Sequence, residues 1–375
     1  MPWMEALKRN ITTGTQLQSY LSLPEEEVKK IDAIVADYPM SIPEYYLSLI
    51  DPADPADPVR KMCIPSVIEQ MPGGAEDTSG EGSNTVITGL QHKYSQTALI
   101  LSTSRCAMYC RHCFRKRMVG ATDKEVLTHF QEMVDYVTEH TEISNILVSG
   151  GDSFLNSNYV IAKYLDAFTQ IDHLDFIRFG TRVPVVLPQR ITEDPELLDL
   201  LERYNHKKTI YVITQFNHPN EITPQATKAV EALEKVGITV KNQAVLLKGV
   251  NDNPDTMATL MRRLTSIGVD PYYVFQCRPV TGVKNQFQVP ILTGYRVMEE
   301  AKSKLNGLAK SFNYVMSHET GKMEFLGIME GNQMLFRYQE AKYPQNYGKT
   351  FVLPLKEDQC WLDELPKDAA SQYGI

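Results

Sequence analysis

The stretch CAMYCRHC brings three of the chain's six cysteines, Cys106, Cys110 and Cys113, into one short loop. Thiolates spaced C-x-x-x-C-x-x-C can each bind one iron of a [4Fe–4S] cubane, leaving the fourth iron without a protein ligand. An iron left open in this way can chelate the amino and carboxylate groups of S-adenosylmethionine. An electron passed into the sulfonium then releases a 5′-deoxyadenosyl radical. Structural zinc is the competing reading, but zinc normally takes four ligands and this loop offers only His112 as an obvious fourth. Cys63, Cys277 and Cys360 stand apart from the group, so the six do not form a disulfide framework and suit reducing surroundings.

Other polar residues fall near the same loop or near the ends of apolar runs. In SGGDS, Gly150 and Gly151 remove side chains where a strand turns into its loop, so that backbone groups can approach a ligand. An ordinary tight turn would use the same pair. Arg111, Arg115, Lys116 and Arg117 surround the cysteines, and a guanidinium fork suits bidentate binding of a carboxylate. His218, Asn220 and His318 could orient a ligand, although a lone histidine is more often a satisfied loop group.

These residues need a scaffold, and the apolar pattern supplies one. Apolar or β-branched runs at 98–104, 145–151, 176–182, 209–216, 238–247 and 271–278 alternate with helical spacing at 123–140, 158–170, 195–204, 223–236, 255–267 and 293–306. Six strand–helix units predict a parallel sheet, because each return crossover needs a helix. The fold class read from this is α/β, an open (β/α)6 partial TIM barrel with its chemistry at the carboxyl ends of the strands. Residues 1–90 read as a helical segment interrupted by DPADPADP and ending in a linker; 72–88, rich in Gly, Ser and acids, reads as a surface loop. The barrel is expected over 91–307. The extension 308–375 reads as two short strands around a turn in FNYVMSHETGKMEFLGI, then a tail with no clear period.

Apolar residues make up 43% and charged residues 22% of the 375, as in a soluble globular enzyme. A net charge of −8 argues against general nucleic-acid binding. The start lacks the apolar stretch of a secretory signal and no run approaches the roughly 20 apolar residues of a membrane span, which predicts a cytoplasmic protein.

In order along the chain, YYLSLIDPADPADPVRK, TSRCAMYCRHCFRKR, NILVSGGDS, FGTRVPVVLPQRIT, TQFNHPNEIT, NQAVLLKGVNDNPD and PYYVFQC resemble the lysine 2,3-aminomutase family of radical S-adenosylmethionine enzymes. The resemblance implies that Gly150, Gly151 and Asp152 hold the amino end of S-adenosylmethionine, that Gln243 contacts it, and that Arg115 grips the substrate carboxylate. It also implies pyridoxal 5′-phosphate joined as an aldimine to a C-terminal lysine, for which Lys322 in HETGK matches best. A flavodoxin or ferredoxin reductant, a small-molecule substrate and a homo-oligomer follow from the same likeness.

The chain departs from the family at informative places. Thr97 stands where the lysine enzymes carry a phosphate-binding arginine, and only Gly321 precedes Lys322 in place of a glycine run. Arg278 replaces an aspartate that meets the substrate's distal ammonium, and a second aspartate is missing, with Ser317 nearby. Cys360 is the only cysteine after Cys277, so the terminal zinc site of some relatives cannot be built. A buried arginine would repel an ammonium, which points to an acidic or uncharged substrate rather than lysine. Arg278 can equally form a structural salt bridge. Three functions therefore stand: a pyridoxal-phosphate aminomutase, a radical enzyme acting on another carboxylate without that cofactor, and a non-catalytic iron–sulfur or zinc redox sensor.

Overall fold

The computed structural model describes residues 2–362 and 365–374. Its centre is a twelve-stranded sheet whose strands follow one another in chain order. They are β1 (Thr85–Ile87), β2 (Leu90–Tyr94), β3 (Thr97–Leu101), β4 (Asn145–Ser149), β5 (Phe176–Gly180), β6 (Thr209–Thr214), β7 (Thr239–Leu246), β8 (Asp270–Gln276), β9 (Asn313–His318), β10 (Gly321–Met329), β11 (Gln333–Ala341) and β12 (Thr350–Pro354). Every neighbouring pair from β3 to β9 is parallel. The flanking pairs are antiparallel, which leaves the α/β sheet open at β1 and β12.

Strands β3 to β8 are the six apolar runs. Their β-branched and aromatic side chains alternate: Ile146 and Val148, Ile177 and Phe179, and Ile210 and Val212 are buried in the main hydrophobic core. Six crossover helices, Phe130–Glu139, Asn158–Phe168, Pro195–Asn205, Pro224–Lys235, Pro254–Ser266 and Ile291–Ser303, lie at the expected places. Four begin at a capping side chain, Ser157, Asp194, Thr223 or Asn253, that accepts a backbone N–H of the first turn, and the last three of these continue with proline. The first helix is shorter than its pattern. Residues 123–129 run back beside β3 instead, where the Leu127 N–H donates to Leu101 O at 2.8 Å. No helix among the described residues is long and apolar enough to cross a membrane.

Two expectations change at the ends. The C-terminal extension is not irregular. Its predicted hairpin is β9–β10, β9 also continues the parallel sheet, and β11 and β12 follow, burying Met334, Phe336, Tyr338 and Phe351. The linker at 72–88 is not merely a surface loop. Ser79, Glu81 and Asn84 are buried, because the short helix Glu81–Asn84 is drawn inward by arginines of the cysteine loop.

Candidate active site

Side chains from β2 to β11 line one cavity of about 380 Å³. The candidate metal, cofactor and substrate residues read from the sequence reach it: Cys106, Cys110 and Cys113; Gly150, Gly151 and Asp152; Gln243; Arg115 and Arg278; and Lys322. Alternation explains the supply. Along β7, Val240, Asn242, Ala244 and Leu246 are buried in the body, while Lys241, Gln243 and Val245 point the other way and stay half-buried. The Gln243 amide makes no hydrogen bond among the described residues and is open to a ligand. His218, Asn220 and His318 do not line the cavity. His218 instead caps the short turn Pro219–Glu221.

The cysteine loop follows β3 and is pinned from behind by the N-terminal segment. The Tyr109 N–H donates to Ser41 O at 3.0 Å, the Arg111 N–H to Met62 O at 2.9 Å, and the Asn10 amide to Ala107 O at 2.8 Å. Arg111 and Lys116 are not a solvated face: both lie buried on the Glu69 carboxylate, at 2.5 and 2.7 Å. Burial pushes the Cys113 thiol up to about 11 and the Cys106 thiol well above its ordinary value, and the neighbouring thiolates add to the effect. Thiols held protonated this strongly become ligands only when a metal centre displaces their protons.

The spacing of the sulfurs weighs against one zinc. Ligands roughly 2.3 Å from a tetrahedral zinc lie roughly 3.8 Å from one another. Among the described residues only His92, His140 and Glu142 bring three ligand atoms within 4.8 Å of one another, so the three cysteine sulfurs as they stand are spread more widely than the ligands of one bound zinc. Sulfurs on separate irons need such width. His112 does not bring a ring nitrogen and two of the sulfurs within 4.8 Å of one another; its Nε2 faces the Asn217 amide at 3.2 Å, its ring packs edge-on to Phe287, and its Nδ1 is buried without a partner among the described residues.

The glycine pair explains how β4 meets this loop. Gly150 has φ +118°, and a Cβ on it would strike Thr103 O; one on Gly151 would strike Arg105 O. The Gly151 and Asp152 N–H groups donate to those same carbonyls at 2.5 and 2.8 Å, so the pair packs directly on the cysteine loop. The Asp152 carboxylate, raised by burial, is committed within the protein. It accepts from Thr181 Oγ1 at 2.6 Å and from the Arg182 and Phe154 N–H groups at 2.7 and 3.1 Å. Gly150→Ala is therefore expected to cost about 2 kcal/mol or more through strain and overpacking. Urea unfolding measures this, and iron content after reconstitution should fall with it.

Arg115 is buried and carries the Glu81 carboxylate, with Nε to Oε1 at 2.8 Å, while Arg117 takes the other oxygen at 2.8 Å. Burial alone would raise Glu81, yet Arg115, Arg117 and Arg278 outweigh it and hold its carboxyl at about 2. Arg278 forms no salt bridge among the described residues. Its Nη1 donates to Ser79 Oγ at 2.6 Å and its Nη2 to Ser317 Oγ at 3.0 Å. Both guanidiniums stack on Phe114, at 4.6 and 4.2 Å from the ring centroid. Of the two readings of Arg278, the direct structural salt bridge is absent, and burial lowers its pKa despite the nearby Glu81 charge.

Lys322 lies on β10, opposite Glu340 of β11, with Nζ 2.6 Å from Oε1. Its ammonium also sits 4.7 Å from the Tyr273 ring centroid and 5.8 Å from that of Tyr94.

Residues 100–261 match the Radical SAM superfamily. The chain is 38% identical to the L-lysine 2,3-aminomutase of Clostridium subterminale, over 81% of this chain and 73% of that one. The chain belongs to the lysine 2,3-aminomutase family. Other relatives are a provisionally named L-lysine 2,3-aminomutase of Aquifex aeolicus (strain VF5), 40% identical over 91% of each chain, and the glutamate 2,3-aminomutase of Clostridioides difficile (strain 630), 36% identical over 81% of this chain and 71% of that one.

Within this aminomutase-family enzyme, sequence reasoning missed four residues at the cavity. Thr97 offers no cation, but its Oγ1 pairs with Asn145 at 3.3 Å, and Arg178 from β5 reaches the same amide at 2.5 Å. The Arg178 Nε is buried without a partner, which leaves a donor for a ligand in this corner. Lys93, half-buried on β2, lines the same cavity and donates to His318 O at 2.6 Å; burial, then Arg278, Lys342 and Lys322, lower its ammonium to about 7. Glu81 lay in a stretch that reads as solvated, and Glu340 in a tail with no visible period. Arg178 alone had a legible signal, a charge in the middle of an apolar strand.

Proposed function

We propose that this enzyme holds a [4Fe–4S] cluster on Cys106, Cys110 and Cys113, cleaves S-adenosylmethionine to a 5′-deoxyadenosyl radical, and moves the amino group of an amino acid other than lysine. The observation that carries the proposal is that the cysteine triad and Lys322 face one cavity although the triad follows β3 and Lys322 lies on β10, far apart in the strand order. A flat sheet would spread β2 to β11 over roughly 40 Å. Their shared cavity supports strands curved into an open (β/α)6 partial TIM barrel over 91–307, preceded by the segment 1–90 and closed by the extension 308–375.

In this reading the cluster supplies the electron and an open iron, and Gly150, Gly151, Asp152 and Gln243 form the S-adenosylmethionine side of the cavity. Asp152 acts by fixing the loop, since its oxygens are already occupied. Pyridoxal phosphate, when bound, would supply the carbonyl that carries the migrating amino group. Lys322 offers it an amine, Glu340 accepts the proton that the ammonium must lose, Tyr273 offers a ring face, and Arg178 and Lys93 offer cations to the phosphate. The orphaned Arg178 Nε supports that fit. Arg115 takes the substrate carboxylate in exchange for Glu81. A second reading, without pyridoxal phosphate, is favoured by Thr97 and by the Lys322–Glu340 ion pair. The substrate is a small molecule, the reductant a flavodoxin or ferredoxin, and the enzyme a cytoplasmic homo-oligomer.

Arg278 selects the substrate class. A half-buried guanidinium that faces the cavity, hydrogen-bonded to two hydroxyls and stacked on Phe114 with no direct carboxylate partner among the described residues, favours an acidic side chain, tolerates an uncharged one and repels an ammonium. One relative carries glutamate in its name. Amino acids screened for substrate-dependent 5′-deoxyadenosine formation are expected to give acidic or uncharged substrates and not lysine. Arg278→Asp is expected to lower kcat/KM for an acidic substrate by roughly 100-fold or more, since a charge-assisted bond becomes a repulsion. Lysine turnover by the unaltered enzyme would sink this assignment.

A further inference from the structure

Only one of the three cysteine sulfurs receives a hydrogen bond from a charged side chain among the described residues. The Nη1 of Arg182 donates to Cys110 Sγ at 2.8 Å. The guanidinium is buried and every other face of it is fixed. Its Nε donates to Gln215 O at 2.9 Å, its Nη2 to the Glu221 carboxylate and, at 3.4 Å, to the Tyr46 hydroxyl. Glu221 is fully buried and is itself held by the Asn217 and His218 N–H groups, at 2.6 and 3.0 Å, and by the Tyr46 hydroxyl at 2.6 Å. The Arg182 backbone N–H is tied to Asp152 at 2.7 Å. The loops after β4, β5 and β6 and the N-terminal helix Glu44–Leu47 thus converge on one donor that is aimed at a single sulfur.

We infer that Arg182 is a positioning residue that holds Cys110 in its ligating orientation and raises the reduction potential of the cluster by hydrogen bonding to that sulfur. The inference rests on the cluster assigned above. Reduction adds one negative charge to the cluster, so a donor fixed on a ligand sulfur stabilises the reduced form more than the oxidised one. Because Glu221, Gln215 and Asp152 hold the arginine in place, the donor needs no rearrangement when the charge arrives. Among the described residues Cys106 and Cys113 receive no charged side-chain donor, although the Arg115 backbone N–H donates to the Cys113 sulfur, so the charged donor acts at one corner of the site.

The test is a redox titration of the anaerobically reconstituted full-length enzyme, followed by the EPR signal of the reduced cluster. In Arg182→Met, the reduced-to-oxidised ratio at a fixed solution potential is expected to fall about tenfold, equivalent to about 59 mV for one electron. Arg182→Lys, which keeps a charged donor, is expected to recover part of the difference. Arg182→Met with Glu221→Gln removes the stranded carboxylate and covers the case in which the single variant does not fold. A potential equal to the unaltered enzyme's in variants with full iron content would reduce Arg182 to a purely structural role. A second measurement uses the unaltered protein carrying nitrogen-15 in its arginine guanidiniums. Pulsed EPR of the reduced cluster is expected to show coupling to an arginine nitrogen, and no coupling would overturn the inference. If the unaltered protein binds no cluster at all, the parent assignment fails, which is a different result from an unshifted variant.

Discussion

Replacing Cys106, Cys110 or Cys113 by serine is expected to leave the fold intact and to abolish 5′-deoxyadenosine formation. A serine nearly matches the half-buried cysteine in size, so packing changes little and the far-ultraviolet circular dichroism should not move. The chemistry changes completely, because the proposed cubane would have only three protein ligands and a hydroxyl gives up its proton far less readily than a thiol. Losing an outer partner of a metal site typically costs 10–100-fold. Losing one of three direct ligands should cost roughly 1000-fold or more, seen as loss of iron, of the brown cluster absorbance and of radical chemistry together. Cys63→Ser, Cys277→Ser and Cys360→Ser are the controls, and each should retain full iron.

Lys322→Ala separates the two halves of the proposed reaction. It is expected to lose the yellow band of lysine-linked pyridoxal phosphate and to lower rearrangement by roughly 1000-fold, while reductive cleavage of S-adenosylmethionine persists. The substitution leaves Glu340 without its 2.6 Å partner. Glu340 is partly solvated, so the stability cost is on the order of 1 kcal/mol, too small to explain lost activity by unfolding. An unaltered enzyme that shows no yellow band with pyridoxal phosphate, yet still turns over a substrate, would favour the reading without that cofactor.

The six strands and their helices were legible because a parallel strand buried against helices must be apolar and a crossover helix must be amphipathic. The cysteine loop was legible from its spacing, and the glycines from their place at a strand end. What sequence could not convey was pairing across long separations. Glu81 reads as part of a solvated linker until Arg115 and Arg117 are seen to draw it in, 34 and 36 residues along the chain. In the tail, Gln333–Ala341 carries apolar residues at 334, 335, 336 and 338, which blurs the alternation that marks a strand. The Thr97 departure looked like a lost phosphate site. Arg178, from the next strand but one, reaches the Asn145 amide that also meets Thr97, a neighbour that only strand order makes visible and that the proposed function uses as the phosphate's cation.

Radical generation at the cysteine loop is the central claim about this enzyme. Anaerobically reconstituted enzyme, reduced with dithionite and mixed with S-adenosylmethionine, should release 5′-deoxyadenosine and methionine in amounts that follow its cluster content. Enzyme that carries a full, EPR-confirmed reduced cluster and still releases no 5′-deoxyadenosine would contradict it.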